Sequence, residues 1–222
     1  MKLVTTHGLA TLLFLLASCF PPMVQTAAAE SEPVGAYLLS PLQHPAEEAS
    51  VRGARLGLFY GRNEDVSWVD LGPGVSHITG NLLGLSLNAL NLVSGDVLGW
   101  QASIANVTRG DVLGFQSAVI NQAHDVTGVQ LAAVNYDEGE VSALALGVGN
   151  IAEAGLTGLQ LGVGNAAFDT AKGLQLGLVN QMGEATGAQL GCINLADSLS
   201  WLQLGGFGAA DQVTGVQLGV FN

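Results

Sequence analysis

Acidic side chains are the residues of this sequence whose spacing could do chemistry. They recur three to five positions ahead of a glycine-led motif, once in roughly 15 residues. If the segments between them stack, the carboxylates form a row about 5 Å apart, which raises their proton affinity and attracts divalent cations such as Ca²⁺. The candidate Ca²⁺ ligands are Asp96, Asp111, Asp125, Glu140 and Glu184. Ca²⁺ takes about six to eight oxygens and each segment supplies one carboxylate, so the alternative is that charged turns keep an apolar rod soluble.

The residues that could carry out catalysis do not form a recognisable catalytic motif in this sequence. No two histidines stand at metal-ligand spacing, and we expect His77 and His124 to be solvated in turns between motifs. Ser86 lacks a G-x-S-x-G context, and no helix follows the G-x-G-x-x-A string at residues 147–152. Cys192 replaces Val, Leu, Ile or Ala of other repeats, which predicts a buried side chain. The sequence predicts a protein that is not an enzyme, with no catalytic residue and no cofactor.

The elements that would position the acidic side chains are tandem repeats. The unit is G-x-Q-x-G-x-x-N, as in residues 128–135, 158–165 and 173–180. Units begin 14 to 16 residues apart, at Gly53, Trp68, Gly84, Gly99, Gly114, Gly128, Ala143, Gly158, Gly173, Gly187, Trp201 and Gly215. An asparagine stands seven places after the first position in nine of these twelve units, and we expect the stacked amides to form a structural ladder. Its members are Asn91, Asn106, Asn121, Asn135, Asn150, Asn165, Asn180, Asn194 and Asn222.

The alternation within a unit predicts the fold class. Large apolar residues take the odd offsets and Gly or Gln the even ones, as in Leu174, Leu176 and Leu178 with Gln175 between the first two. This period of two indicates a strand with one buried face, and we assign the apolar side chains to that face. One strand per unit, repeated in the same sense, predicts an all-β protein, a β-solenoid of about twelve coils with about 15 residues each.

A small antiparallel outer-membrane β-barrel is the alternative fold. An antiparallel meander would repeat every two strands, whereas this chain repeats every one. The alternating run of about six residues is also shorter than the roughly 9–11 that a crossing strand needs. Aromatic residues make up 6% of the chain, too few for two interfacial girdles. These observations favour the solenoid.

The N-terminal segment has the features of an export signal. Residues 1–29 have a basic start, an apolar stretch and an Ala-Ala-Ala exit, which are typical of a secretory signal peptide. The alternative to cleavage after this exit is lipidation at Cys19, which ends a lipobox-like Leu-Ala-Ser-Cys. Residues 30–50 contain three prolines and are expected to be an acidic tether or cap, and residues 51–222 the tandem-repeat β domain. We expect an exported protein in the periplasm, outer membrane or cell surface.

The composition limits the classes of molecule that this protein could bind. The 222 residues are 49% hydrophobic, which excludes a disordered chain, and the formal net charge of −12 argues against binding nucleic acid. We expect the partner to be a protein or surface ligand, with membrane contact only through a lipid anchor. The last unit, residues 215–222, predicts an unpaired parallel edge and hence end-to-end association of copies.

Residues 51–222 resemble the bacterial exported surface repeat proteins built from tandem G-L-Q-x-G-x-x-N units of about 15 residues, many of them lipoproteins. The opening V-R-G-A-R-L-G-L-F-Y-G at residues 51–61 is similar to the first repeat of that family. The resemblance implies a location in the envelope or at the surface and carries no catalytic role. The function predicted is therefore a non-enzymatic structural or interaction protein; the barrel alternative would make it a pore or anchor.

Overall fold

The protein is a stack of short strands. The computed structural model describes residues 31–221, and this part of the chain contains strands and turns but no helix. The strands are β1 (Ser31–Leu39), β2 (Leu42–His44), β3 (Ser50–Asn63), β4 (Val66–Ile78), β5 (Leu82–Val93), β6 (Val97–Ala102), β7 (Ala105–Thr108), β8 (Val112–Ser117), β9 (Ile120–Ala123), β10 (Val126–Leu131), β11 (Val134–Asp137), β12 (Glu140–Leu146), β13 (Gly149–Ala152), β14 (Gly155–Leu156), β15 (Leu159–Leu161), β16 (Gly164–Ala171), β17 (Leu174–Leu176), β18 (Val179–Ala185), β19 (Ala188–Leu199), β20 (Leu202–Val213) and β21 (Val216–Leu218).

Successive coils pair in parallel and in register. Gln116 of β8 lies between Gln101 of β6 and Gln130 of β10, so equivalent repeat positions stack directly. Every pair among β3 to β21 in the described chain is parallel, which makes a β-solenoid of about 13 turns. The solenoid prediction is confirmed, and the antiparallel barrel is wrong because parallel strands one coil apart cannot form a meander.

The solenoid has one turn more than the twelve repeats, and the segment ahead of the repeats forms that turn. Strand β1 pairs in parallel with β3 and so stacks as a further coil. Strand β2 returns antiparallel on β1, with Ala36 beside His44. The segment was predicted as a tether or cap, and in the structure it lies against the first repeat.

Glycine at the first position of a unit allows the coils to approach closely. At Gly99 and Gly114 the φ angles are 143° and 147°, a region that favours glycine. An added Cβ would lie 2.0 Å from the carbonyl oxygen of the glycine one coil earlier at both positions. A side chain at this corner would therefore push neighbouring coils apart.

The interior of the solenoid is lined by the face that the sequence analysis assigned to solvent. Gln175 and Asn180 are buried, whereas Leu174 and Leu176 are partly exposed and Leu178 is 54% exposed. The assignment of the apolar face to the core is wrong, because period-two alternation distinguishes two faces but does not say which one is enclosed. Buried amides are stable here because each bonds to the same amide one coil away.

Two columns of small and branched apolar residues complete the interior. One stands two places before the first position of each unit and includes Val97, Val112 and Val126. The other follows the asparagine by two places and includes Val93 and Ala123. A regular coil, such as the one that holds Val112, Gln116, Asn121 and Ala123, thus encloses two amides and two apolar side chains within a narrow cross-section.

Candidate functional site

The acidic residues form a backbone-capping ladder along one edge. The Oδ1 atom of Asp96 accepts the N–H of Asp111 at 3.0 Å, and Oδ1 of Asp111 accepts the N–H of Asp125 at 3.3 Å. Asp125 continues the pattern by accepting the N–H of Glu140 at 2.7 Å. A short Asp or Asn side chain reaches the next coil's N–H from this turn, since Oδ1 of Asn81 accepts the N–H of Asp96 at 2.8 Å in the same way.

Four of the five candidate Ca²⁺ ligands lie close together along this edge, and the fifth lies apart from them. Asp96, Asp111, Asp125 and Glu140 lie on four successive coils. Glu184 lies in a later coil, where it pairs with Thr170 rather than with an acidic residue. Each coil supplies one carboxylate, and in the first three of these residues one oxygen already accepts a backbone N–H. Ca²⁺ binding at this edge stays a prediction.

A histidine joins two of these carboxylates. The Nδ1 atom of His124 lies 3.2 Å from Oδ1 of Asp111 and 3.4 Å from Oδ1 of Asp125. His124 was predicted to lie in a solvated turn, and its side chain is 53% exposed. Its contact with the two aspartates was not predicted, because Asp111 belongs to the preceding coil. The 14-residue interval between the two aspartates is the signal that would have found it.

The asparagine ladder is continuous from Asn91 to Asn194. Each Nδ2 except that of Asn194, which faces Gly208, donates to Oδ1 of the asparagine in the next coil at 2.8 to 3.0 Å, and most also donate to a backbone carbonyl. The ladder comprises Asn91, Asn106, Asn121, Asn135, Asn150, Asn165, Asn180 and Asn194. Asn222 and Cys19 lie outside the described residues. The ladder fixes coil register and is a structural feature, not a reactive one.

A parallel glutamine ladder was not predicted, although the Gln recurs at a fixed offset in the unit. It runs through Gln101, Gln116 and Gln130 and resumes at Gln160, with Ala145 in the coil between. Two buried amide atoms in residues 31–221 have no hydrogen-bond partner, Nε2 of Gln101 and Oε1 of Gln130. Both stand at the ends of the first ladder segment, where Ser86 and Ala145 are too short to continue it.

Beside that ladder end lies a buried carboxyl group. Asp137 is 1% exposed and accepts a hydrogen bond from Nε2 of Gln130 at 2.8 Å. Burial raises the pKa of Asp137 to about 7, and the Gln130 bond opposes that shift. Its neighbours in the column are Ala123 and Ala152. The acid is therefore largely neutral below pH 7 and stands alone in an apolar column.

The first repeats enclose an ion pair that the sequence analysis also missed. Arg55 and Asp70 are both fully buried, with Nε to Oδ1 at 2.8 Å and Nη2 to Oδ2 at 2.9 Å. Ser86 donates to Oδ2 of Asp70 at 3.1 Å, so this serine is a structural partner. The Tyr37 ring covers the guanidinium at 5.3 Å, and burial raises the pKa of Tyr37 to about 12. The pair replaces the glutamine ladder at this end.

His77 is also placed differently from the prediction. It lies within β4, half-buried, with Nδ1 2.8 Å from the Tyr60 hydroxyl oxygen. Burial is the largest cause that lowers the pKa of His77, and nearby arginines add to it. The expectation of a solvated turn is wrong here because β4 continues to Ile78, after a register shift between Gly72 and Val75, and the bend begins only at Thr79.

Outside the coils runs a column of apolar side chains that we call the apolar ridge. Its large members are each 50–62% exposed, and backbone hydrogen bonds of 2.9 Å join successive coils at this corner. The ridge comprises Ile104, Val119, Ala133, Val148, Val163 and Leu178. Cys192 is next in the column and is exposed, so its predicted burial is wrong. Five coil steps give the ridge a length of about 24 Å.

Comparison with known protein families, with curated proteins and with solved structures found no match. Within residues 31–221, no helix is long and apolar enough to cross a membrane.

Proposed function

We propose that this protein is a non-enzymatic, exported structural or interaction rod of the bacterial envelope or cell surface, and that the apolar ridge binds a protein partner. The observation that carries the proposal is the inverted polarity of the coil, with amides inside and Val, Ile and Leu aligned outside. Isolated exposed apolar residues are common, but a straight column of them is typical of an interaction surface.

The partner that fits the ridge is a protein of neutral or positive charge with its own apolar strip. The ridge side chains recur at the strand spacing of about 4.8 Å. This spacing matches that of side chains on adjacent strands of a β-sheet in a partner protein. The chain's net charge of −12 opposes side-by-side packing of a second copy, or an anionic lipid surface, along the ridge. The resemblance to exported surface repeat proteins supports an envelope location, with Cys19 as the lipid anchor in the lipoprotein alternative.

Ridge variants test the binding proposal. Val148→Ser, Val163→Ser and Leu178→Ser together remove apolar area outside the coil while the interior ladders are unchanged. Leu113→Ser with Leu131→Ser is the matched control, since these leucines are 53% and 47% exposed in other columns. A photoreactive group on Cys192 should give a crosslinked partner in cells that the ridge variant loses and the control retains.

The crosslinking results distinguish the molecules that could bind the apolar ridge. A crosslinked adduct of two copies would assign the ridge to self-association, and a ridge-dependent crosslink to lipid would assign it to a membrane; either contradicts the protein partner. An adduct that survives the ridge substitutions would refute the ridge as the binding surface. Mass spectrometry of the mature N-terminus tests export separately: cleavage after Ala29 or a lipid on Cys19 supports it, and an intact Met1 contradicts it.

A further inference from the structure

A nitrogen ligand meets two carboxylates at the turn that holds His124. Its Nδ1 lies between Oδ1 of Asp111 and Oδ1 of Asp125, and these ligand atoms all lie within 4.8 Å of one another. No second group of three such side chains reaches this spacing in residues 31–221. The group combines two adjacent coils, since Asp111 precedes β8 and Asp125 precedes β10.

The distances suit a tetrahedral metal ion. With metal–ligand bonds of about 2.0–2.1 Å, two ligands of a tetrahedral Zn²⁺ are about 3.3–3.4 Å apart. The observed separations from Nδ1 are 3.2 and 3.4 Å. An ion here would replace the direct histidine–carboxylate contacts, and rotation of the exposed aspartate side chains would bring both oxygens to bonding distance from it. Water would complete its coordination.

The coil framework holds the two carboxylates in place. The Asp111 oxygen accepts the N–H of Asp125, and the Asp125 oxygen accepts the N–H of Glu140. Strands β8 and β10 pair in register behind the turn, with Val112 beside Val126. Each carboxylate keeps a second oxygen and further lone pairs free for a metal, so the capping ladder and metal ligation are compatible.

From this geometry we propose that Asp111, His124 and Asp125 form a binding site for one divalent transition metal ion, with Zn²⁺ the best fit. An imidazole nitrogen suits Zn²⁺, Cu²⁺ and Ni²⁺, whereas Ca²⁺ and Mg²⁺ take oxygen ligands. Two carboxylates balance the charge of a divalent ion, and three protein ligands leave at least one position for water or a ligand from a partner. The site is distinct from an all-carboxylate Ca²⁺ edge, because the histidine is required.

Isothermal titration of the purified full-length chain with Zn²⁺ tests the site. We expect one Zn²⁺ per chain, at least about tenfold weaker binding in His124→Gln and in Asp111→Asn, and no change in His44→Gln, which removes another exposed histidine. Ca²⁺ at the same concentration should not displace Zn²⁺. The two variants are surface changes, and their far-ultraviolet circular dichroism should match that of the parent.

Cobalt substitution adds a readout of geometry. Co²⁺ at this site should show the intense visible absorption of a tetrahedral or five-coordinate ion, and His124→Gln should lose it. Zn²⁺ binding that is equal in parent and His124→Gln would overturn the proposal, as would a chain that binds no Zn²⁺. Displacement by equimolar Ca²⁺ would also overturn it, because an oxygen-only site would then explain the binding.

Discussion

Replacement of Asp137 by asparagine should remove a large pH dependence of stability. The carboxyl is buried and bonded to Gln130, and its pKa is raised from the ordinary 3.8 to about 7. Between these values the folded chain keeps a proton that the unfolded chain has lost. The contribution of Asp137 to stability is therefore greatest below about pH 4 and falls as the pH rises, until this carboxyl is ionised in the folded state above about pH 7.

The magnitude follows from the shift. About three pKa units at about 1.4 kcal/mol each give a loss of about 4 kcal/mol from pH 4 to pH 8, of which about 2 kcal/mol falls between pH 5 and pH 7. Asparagine cannot ionise, and its Nδ2 is a donor beside the Oε1 atom of Gln130 that has no partner in the described chain. Asp137→Asn should therefore be more stable than the parent at pH 8 and close to it at pH 4.

Urea unfolding followed by circular dichroism at several pH values between 4 and 8 measures this difference. Asp197→Asn, which changes an exposed carboxylate, is the control and should follow the parent. Comparison of parent and variant cancels the titration of all other groups. If Asp137→Asn and the parent show parallel unfolding midpoints from pH 5 to pH 8, the assignment of a neutral, buried Asp137 is refuted.

Three further substitutions test the interior and the corners by the midpoint of thermal or urea unfolding. Gly114→Ala should cost more than about 2 kcal/mol, because it combines an unfavourable positive φ with overlap of the preceding coil's carbonyl; a loss of less than about 0.5 kcal/mol would contradict the close approach. Arg55→Met should cost about 3–5 kcal/mol by leaving Asp70 buried without its partner, and the double change with Asp70→Leu should recover most of the loss; equal losses would refute the buried pair. Asn150→Ala should cost about 2 kcal/mol or more because Asn135 and Asn165 each lose a ladder bond, whereas Val148→Ala outside the coil should cost under about 1 kcal/mol.

Much of the fold could be predicted because the repeat carries it. An asparagine at a fixed offset in nine units and a spacing near 15 residues require equivalent positions to stack, and the structure places Asn106 directly between Asn91 and Asn121. The positive φ angles at Gly99 and Gly114 lie at the first position of the unit, where the repeat most often carries glycine. Sequence periodicity predicts such features because one-coil contacts repeat identically along the stack.

The polarity of the coil could not be predicted from the same pattern. Alternation assigns Leu174 and Gln175 to opposite faces, and the usual rule places leucine inside. That rule fails where amides satisfy one another in a ladder, as Gln175 and Gln160 do at 2.8 Å. Contacts that occur at only one level of the stack, such as His124 with Asp111, could not be predicted because they join residues of two coils that do not recur in the other repeats.

The most direct test of the amide-filled interior is hydrogen exchange of the side-chain NH₂ groups in NMR spectra of the folded chain. The structure predicts that the NH₂ protons of Asn150 and Gln175 are protected to the same degree as the backbone amides of the strands around them, because both groups are buried and bonded to their counterparts one coil away. Exchange of these NH₂ protons at the rate of a solvent-exposed amide would contradict the structure, since it would place the amides outside and the leucines within.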